Sequence, residues 1–289
     1  MRIGFIGAGK VGFCLGQYLA SRSEAGQVLT IVGYASRDPG PAREAAQLTG
    51  SAFFESPLAL IQAADLIFLT VPDGLIGPVW ESLAKSQVEA SSFAGKIFAH
   101  CSGSLSSDVF LGLEETGAWG LSLHPLMAIP DKYRSQKLLA EAFFAIEGQE
   151  PAVTRVKSLF SSLGHQVEVL DKSKKTLYHC AAAIVSNFAV ALAQMGADLL
   201  GLCGLAGAEA ALFRLELNNA RSITEYGPVA ALTGPVERGD VGTVAGHLAA
   251  LTGEDRELYR LLAKKLVKVA QLKRPGQDFG PLSRLLEKP

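Results

Sequence analysis

Two groups of residues in this sequence could do chemistry. The first is Gly7-Ala8-Gly9-Lys10-Val11-Gly12, a G-x-G-x-x-G spacing that follows directly on the apolar residues Ile3, Phe5 and Ile6. A strand, this turn and a helix, in that order, form a cradle for the linked phosphates of a dinucleotide. Gly7 permits the tight turn, Gly9 lets the backbone approach a pyrophosphate, and Gly12 lets the helix pack close on the strand. The helix then offers free N–H groups and its positive dipole end, beginning at Lys10 and Val11. The second group is Lys175, His179 and His124. Lys175 and His179 stand four residues apart, so both face one way on a helix. Each is a candidate to deliver the proton, or to hold the charge, that hydride transfer to a carbonyl or imine requires. His124 ends an apolar run, and its imidazole titrates near neutral pH. Lys172, Lys174 and Lys175 also suit an ordinary solvated helix start, which is the competing reading.

Other residues extend these groups. Val71-Pro72 leaves the apolar run Asp65–Thr70 at what should be the carboxyl edge of a sheet, where ligands bind in open α/β folds. Ser36-Arg37 stands where enzymes that use NAD carry an acid against the ribose hydroxyl. A hydroxyl and a guanidinium suit a 2′-phosphate instead, so the expected cofactor is NADP, with NAD kept open by Asp38. Asn187, further along the same helix as Lys175, is a candidate substrate hydrogen-bonder. Arg238, in Thr233–Asp240, is expected on a loop, where it could clamp an anionic group. Asp240 fits a helix cap at least as well as a ligand contact.

The elements that must position these residues follow from periodicity. Strands are expected at the start of the chain and at Val28–Ala35, Ser51–Phe54, Asp65–Thr70, Lys96–His100, Trp119–Leu123, Phe143–Glu147 and His165–Leu170, most of them separated by helices. Such alternation predicts α/β architecture, with a mostly parallel Rossmann-type sheet and right-handed crossovers. Strand signals stop after Asp171, and helices are expected over Lys174–Leu202, Ala208–Tyr226, Val241–Leu251 and Asp255–Leu272. The expected division is a nucleotide-binding domain over 1–171 and a helical substrate and dimerisation domain over 172–289. Arg274–Pro289 holds three prolines and reads as a loosely packed tail.

Bulk properties narrow the class. The 289 residues are 48% hydrophobic and 19% charged, with net charge −1, which does not favour nucleic acid or an anionic membrane surface as a partner. Four widely spaced cysteines suggest neither a disulfide frame nor a zinc site, and fit a cytoplasmic protein. The apolar stretch Cys180–Leu202 is long enough to span a bilayer. Ser186, Asn187, Gln194 and Asp198 interrupt it, with Lys175 and His179 on the same side, so a buried helix in a soluble protein is expected rather than a membrane segment. Its apolar surface suggests a homodimer.

Five motifs, GAGKVG, HCSGSLSSD, SLHPL, KTLYHCAAAIVSNF and ALTGPVERGD, occur in that order. Their combination resembles the Rossmann-like proteins with a C-terminal DUF2520 domain. These in turn resemble the 6-phosphogluconate dehydrogenase-like superfamily, which includes pyrroline-5-carboxylate reductase, ketopantoate reductase and the β-hydroxyacid dehydrogenases. The resemblance implies NAD(P) binding on the first domain and a helical dimerisation domain, but no substrate. It also implies a catalytic lysine on the first long helix, which Lys175 matches. The superfamily's asparagine one turn later is here His179, and Asn187 lies further on. The expected function is reduction of a small anionic carbonyl or imine with NADP. The alternative is a protein that binds NADP(H) and catalyses nothing.

Overall fold

The computed structural model describes residues 1–23, 29–86 and 93–288. Val28, the first residue of the expected second strand, and Pro289, the last of the expected tail, lie outside them. The chain divides into two compact units, Met1–Ser186 and Asn187–Pro289.

The first unit is built on one eight-stranded sheet. Its strands are β1 (Arg2–Ile6), β2 (Thr30–Ala35), β3 (Ala52–Phe53), β4 (Leu66–Leu69), β5 (Ile97–His100), β6 (Trp119–Pro125), β7 (Phe144–Gly148) and β8 (Val167–Val169). They lie side by side in the order β3-β2-β1-β4-β5-β6-β7-β8. Pairing is parallel from β3 through β6. β7 then runs antiparallel to β6, and β8 parallel to β7. The first six strands thus have Rossmann order, as expected, and the turn of direction at β7 extends the sheet past it. β4 and β5 are buried at every position, which accounts for their uninterrupted apolar runs.

Helices cover both faces of the sheet. On one side α1 (Lys10–Ser23), α2 (Pro39–Leu48) and α5 (Ala152–Ser162) close over Phe5, Tyr34, Phe68 and Phe144. On the other, α3 (Pro57–Ala63) and α4 (Asp73–Ser86) pack Leu60, Ile61, Ile76 and Trp80 against Ile67, Leu69 and Phe98. Burying a Leu or Phe side chain in this way contributes about 1.5–3 kcal/mol each. Strand order reverses between β1 and β4, whose carboxyl ends carry Gly7 and Thr70.

Helix α6 (Lys175–Leu202) begins in the first unit and continues into the second. It departs from the expected burial. In the single chain Val185 is 76% and Phe188 57% exposed, and Ile184 and Val190 are exposed as well. Apolar residues around most of its circumference made burial the expectation, but the chain does not supply enough of its own surface to cover them. By length and composition this helix could cross a membrane.

The second unit adds α7 (Glu209–Ala231), α8 (Pro235–Arg238), α9 (Val241–Ala250), α10 (Gly253–Lys273) and α11 (Gly280–Glu287). Helix α7 runs past its expected end at Tyr226 through a kink at Gly227-Pro228, where Gly227 has φ 78°. Arg238 ends the one-turn helix α8 rather than lying on a loop, and its side chain is exposed. Asp240 caps α9, accepting from the Thr243 N–H at 3.0 Å and its hydroxyl at 2.7 Å. The expected loose tail instead carries a packed helix over half its length. Pro281 opens α11, and Leu282 and Leu286 are buried with Val236, Val244 and Phe279. Proline at a first helical turn starts a helix rather than breaking one.

Candidate functional site

The glycine turn follows β1 with Gly7 at φ 100°, a conformation only glycine adopts readily. The Gly7 carbonyl accepts from the Thr70 hydroxyl at 2.7 Å, tying the turn to the end of β4. A Cβ on Gly12 would strike that hydroxyl and lie 2.7 Å from the Gly7 carbonyl, so this glycine is required by packing. Gly9 differs. A Cβ there would meet nothing closer than the Thr70 carbonyl at 3.6 Å, ordinary contact. Among the described residues nothing demands a glycine at position 9, and the space beside it lies outside the turn.

That space is a cavity of about 550 Å3, lined among others by Gly7, Gly9, Ser36, Arg37, Val71 and Pro72. Asp38 also borders it, but its carboxylate is used in capping α2, accepting from the Gly40 N–H at 3.0 Å. Arg37 is exposed at the cavity rim. A second cavity, of about 280 Å3, lies among Gly9, Lys10, Val11, Pro72, Asp73, Cys101 and Ser102. Both cavities open where the strand order reverses, the place at which open α/β sheets bind ligands. The start of α1 faces them with N–H groups that have no carbonyl one turn earlier to bond. These donors, the guanidinium and the Cβ-free turn fit a pyridine dinucleotide.

Beyond the second cavity the carboxyl ends of β5 and β6 meet the first turns of α6. Lys175 is only 2% exposed. Its ammonium donates to the Ser122 hydroxyl on β6 and lies 3.5 Å from Glu147 Oε1 on β7. Burial pulls its pKa down, and Glu147 acts against that. This is not a solvated helix start. Tyr178, three residues on, places its hydroxyl 2.8 Å from His124 Nδ1. The rings of His124 and His179 lie 6.1 Å apart, edge to face. The structure thus brings the three sequence-derived candidates Lys175, His124 and His179 to one region of the first unit. Asn187 and Arg238 belong to the second unit, and both are exposed in the single chain.

Burial pushes His124 down to about 4, helped by the charge of Lys175, so the ring is neutral at pH 7. His100 is also pushed down to about 4 by burial and by Lys175. It accepts from the Ser102 N–H at Nδ1, which leaves its proton on Nε2, 3.2 Å from the Ser106 carbonyl. Burial raises the Tyr178 phenol to about 12. Between pH 6.5 and 4 the unfolded chain therefore binds protons that His100 and His124 refuse in the folded one. Stability should fall as pH drops through that window, read as a lower urea midpoint at pH 4.5 than at pH 7.

The loop Cys101–Ser104 packs beneath the imidazoles. A Cβ on Gly103 would overlap the His179 ring and lie 2.9 Å from His124 Nε2. Replacing Gly103 with Ala should displace both rings and cost about 1–3 kcal/mol of stability, measured by urea unfolding, with shifted imidazole resonances. Sequence reasoning gave no role to Glu147, Ser122 or Tyr178, and named Asp73 only as part of the edge segment Val71-Pro72-Asp73. Glu147 did leave a signal, as an acid directly following the apolar run Phe143–Ile146, since carboxylates are rarely buried without a partner. Among the described residues no group of three or more His, Cys, Asp or Glu could hold a metal ion.

Comparison with known proteins agrees with the fold. Residues 1–125 match the model of the Rossmann-like domain, and residues 142–266 match DUF2520, a domain of unknown function. The chain carries a Rossmann-like domain followed by a DUF2520 domain. Among solved structures, protein TM1727 from Thermotoga maritima is 28% identical over 94% of this chain and 99% of that one, with a TM-score of 0.73. A Bacteroides fragilis protein assigned as an NADP oxidoreductase is 23% identical over 92% and 98%, with a TM-score of 0.69. The pyrroline carboxylate reductase of Plasmodium falciparum, solved with NADP bound, is 14% identical over 96% and 98%, with a TM-score of 0.57. No curated protein matches. The DUF2520 match begins before β7 and runs on into α10, so it takes in Glu147, Lys175, Tyr178 and His179.

Proposed function

We propose that this Rossmann-DUF2520 protein is an NADP-dependent oxidoreductase that acts on a small anionic carbonyl or imine. The observation that carries the reading is the adjacency of two features. A glycine turn left open at Gly9 faces a cavity whose lining residues, Cys101 and Ser102, lead directly to Lys175, His124 and His179. The two similar structures described as an NADP oxidoreductase and as a pyrroline carboxylate reductase, whose substrate name denotes a ring imine bearing a carboxylate, support the same class.

In this reading Gly7 to Gly12 hold the pyrophosphate, Ser36 and Arg37 the 2′-phosphate, and Val71-Pro72 the edge of the cofactor. NAD remains the lesser alternative. When bound, NADPH supplies a hydride to the electrophilic carbon. The protein's part is to place a proton at the heteroatom. In this reading the Tyr178 hydroxyl, 2.8 Å from His124 Nδ1, is taken as the donor of that pair, so the ring proton sits on Nε2, on the side of Gly103 and His179. A neutral imidazole can give up that proton to the developing anion as Nδ1 takes the proton of the phenol, and the half-buried Tyr178 phenolate so formed recovers its proton from solvent. Lys175 keeps a positive charge nearby that stabilises developing negative charge. Asn187 and Arg238 are carried as substrate-binding candidates on sequence grounds. The exposed apolar residues of α6 suit a second copy of this chain, whereas Ser186, Asn187, Gln194 and Asp198 would be costly inside a bilayer.

Replacing Arg37 with Ala should weaken NADPH binding by about 10- to 100-fold while NADH binding changes little, because a phosphate–guanidinium pair contributes about 1.5–3 kcal/mol. Fluorescence titration with both nucleotides checks this. The function itself is tested by NADPH consumption against a panel of carboxylated imines and 2-oxo acids. Turnover lost in Lys175 and His124 variants that still bind cofactor supports an enzyme. Tight binding with no turnover across the panel favours the second reading, a nucleotide-binding sensor. One observation supports that reading: the Lys175 ammonium is already engaged by Glu147 and Ser122.

A further inference from the structure

Glu147 is a buried ionisable group to which the mechanism above gives no role. Glu147 on β7 is 3% exposed, yet both its oxygens are occupied. Oε1 accepts from the Ser107 N–H at 2.8 Å and Oε2 from the Ser107 hydroxyl at 2.7 Å, and Lys175 Nζ lies 3.5 Å from Oε1. A buried carboxylate so anchored is a fixed negative charge beside a lysine whose pKa burial lowers, and it acts against that shift.

The consequences run toward the cavity. A protonated Lys175 donates to Ser122 Oγ, so that hydroxyl must point its own proton elsewhere, and the Ser102 carbonyl lies 3.4 Å away. Ser102 in turn organises the loop. Its hydroxyl donates to Asp73 Oδ2 at 2.6 Å and accepts from the N–H groups of Ser104 and Leu105 at 3.2 and 3.0 Å. Ser102 and Asp73 both line the smaller cavity. If Lys175 loses its proton, Nζ becomes an acceptor. The Ser122 hydroxyl can then turn toward it and leave the Ser102 carbonyl without this donor.

We propose that Glu147 is a positioning residue. It fixes the charge of Lys175 and, through Ser122, the loop that shapes the nicotinamide end of the cofactor cavity. This rests on the placement of the cofactor given above. The other groups that act on Lys175 or are acted on by it are Asp73 at the start of α4, His100 and Cys101 at the end of β5, and His124 on β6; Lys172 faces Glu147 from the exposed side. Only Glu147 forms an ion pair with Lys175 among the described residues.

The test is NADPH affinity of the full chain, followed by fluorescence from pH 6 to 10. Wild type should hold its affinity until an alkaline midpoint at which Lys175 loses its proton. In Glu147→Gln that midpoint should move down by about 1–3 pH units, the shift expected on removing an opposite charge at this distance, and Glu147→Asp should restore most of it. Ser122→Ala, a smaller change in case Glu147→Gln does not fold, should bind more weakly at neutral pH and lose the alkaline dependence. An unchanged midpoint in Glu147→Gln, or a wild-type pH profile in Ser122→Ala, overturns the proposal and leaves the cofactor reading standing. Absence of NADPH binding by wild type at every pH overturns the cofactor reading first, and this proposal with it.

Discussion

Gly9→Asp should abolish nucleotide binding and leave the fold intact. A Cβ at this position would meet nothing closer than the Thr70 carbonyl at 3.6 Å, so the first added atom introduces no clash with the turn. The added carboxylate would stand where the pyrophosphate is proposed to lie, against the start of α1. We expect NADPH affinity to fall at least about 100-fold, since a loss of 1.4 kcal/mol is tenfold and excluding a phosphate costs at least twice that. Thermal unfolding should stay near the wild-type midpoint. Gly12→Ala should behave in the opposite sense. Its Cβ would strike Thr70 and lie 2.7 Å from the Gly7 carbonyl, both of them part of the β1–β4 junction. Overpacking of this kind costs about 1–3 kcal/mol, seen as a lowered unfolding midpoint, and weaker nucleotide binding should follow from the disturbed turn. Equal damage to binding and stability in both variants would mean that the glycine pattern is only a structural turn.

The second large effect is on stability. Lys175→Ala removes the ion-pair partner of a carboxylate that is 3% exposed and leaves it buried against the Ser107 N–H and hydroxyl. Breaking a buried pair from one side costs about 3–5 kcal/mol, whereas removing both charges is often nearly neutral. Lys175→Met combined with Glu147→Gln should therefore recover most of what Lys175→Ala loses, as judged by urea unfolding. It should not recover turnover, because the charge beside His124 is gone in both. If Lys175→Ala costs less than about 1 kcal/mol, the pair is in effect solvated and the burial described here is wrong.

Much of the architecture could be read from periodicity. Each of the eight strands lies within or overlaps a run that looked extended in the sequence. Uninterrupted apolar runs such as Leu66–Leu69 arise because parallel strands are covered on both faces. The glycine turn was legible for the same reason: its spacing, strand and helix are all local. Four features were not. The buried Lys175–Glu147 pair joins residues 28 apart, and no local pattern tells a buried lysine from one at a solvated helix start. The role of Gly103 depends on two imidazoles brought to it by β6 and α6. Helix α6 misled in another way. Hydrophobicity around most of a helix predicts that something covers it, but not that the cover is missing from the single chain. The closing segment was misread because its prolines suggested an irregular tail. Pro281 instead occupies the first turn of α11, where it needs no N–H partner.

Calorimetric titration of the purified chain with NADPH, and separately with NADH, tests the central claim most directly. The account predicts saturable binding of one nucleotide per chain, tighter for NADPH, with the preference lost in the Arg37→Ala variant. If neither nucleotide produces a binding isotherm with wild type, while circular dichroism shows the chain folded, the Gly9 opening is not a cofactor cradle and the proposed chemistry has no reductant to draw on.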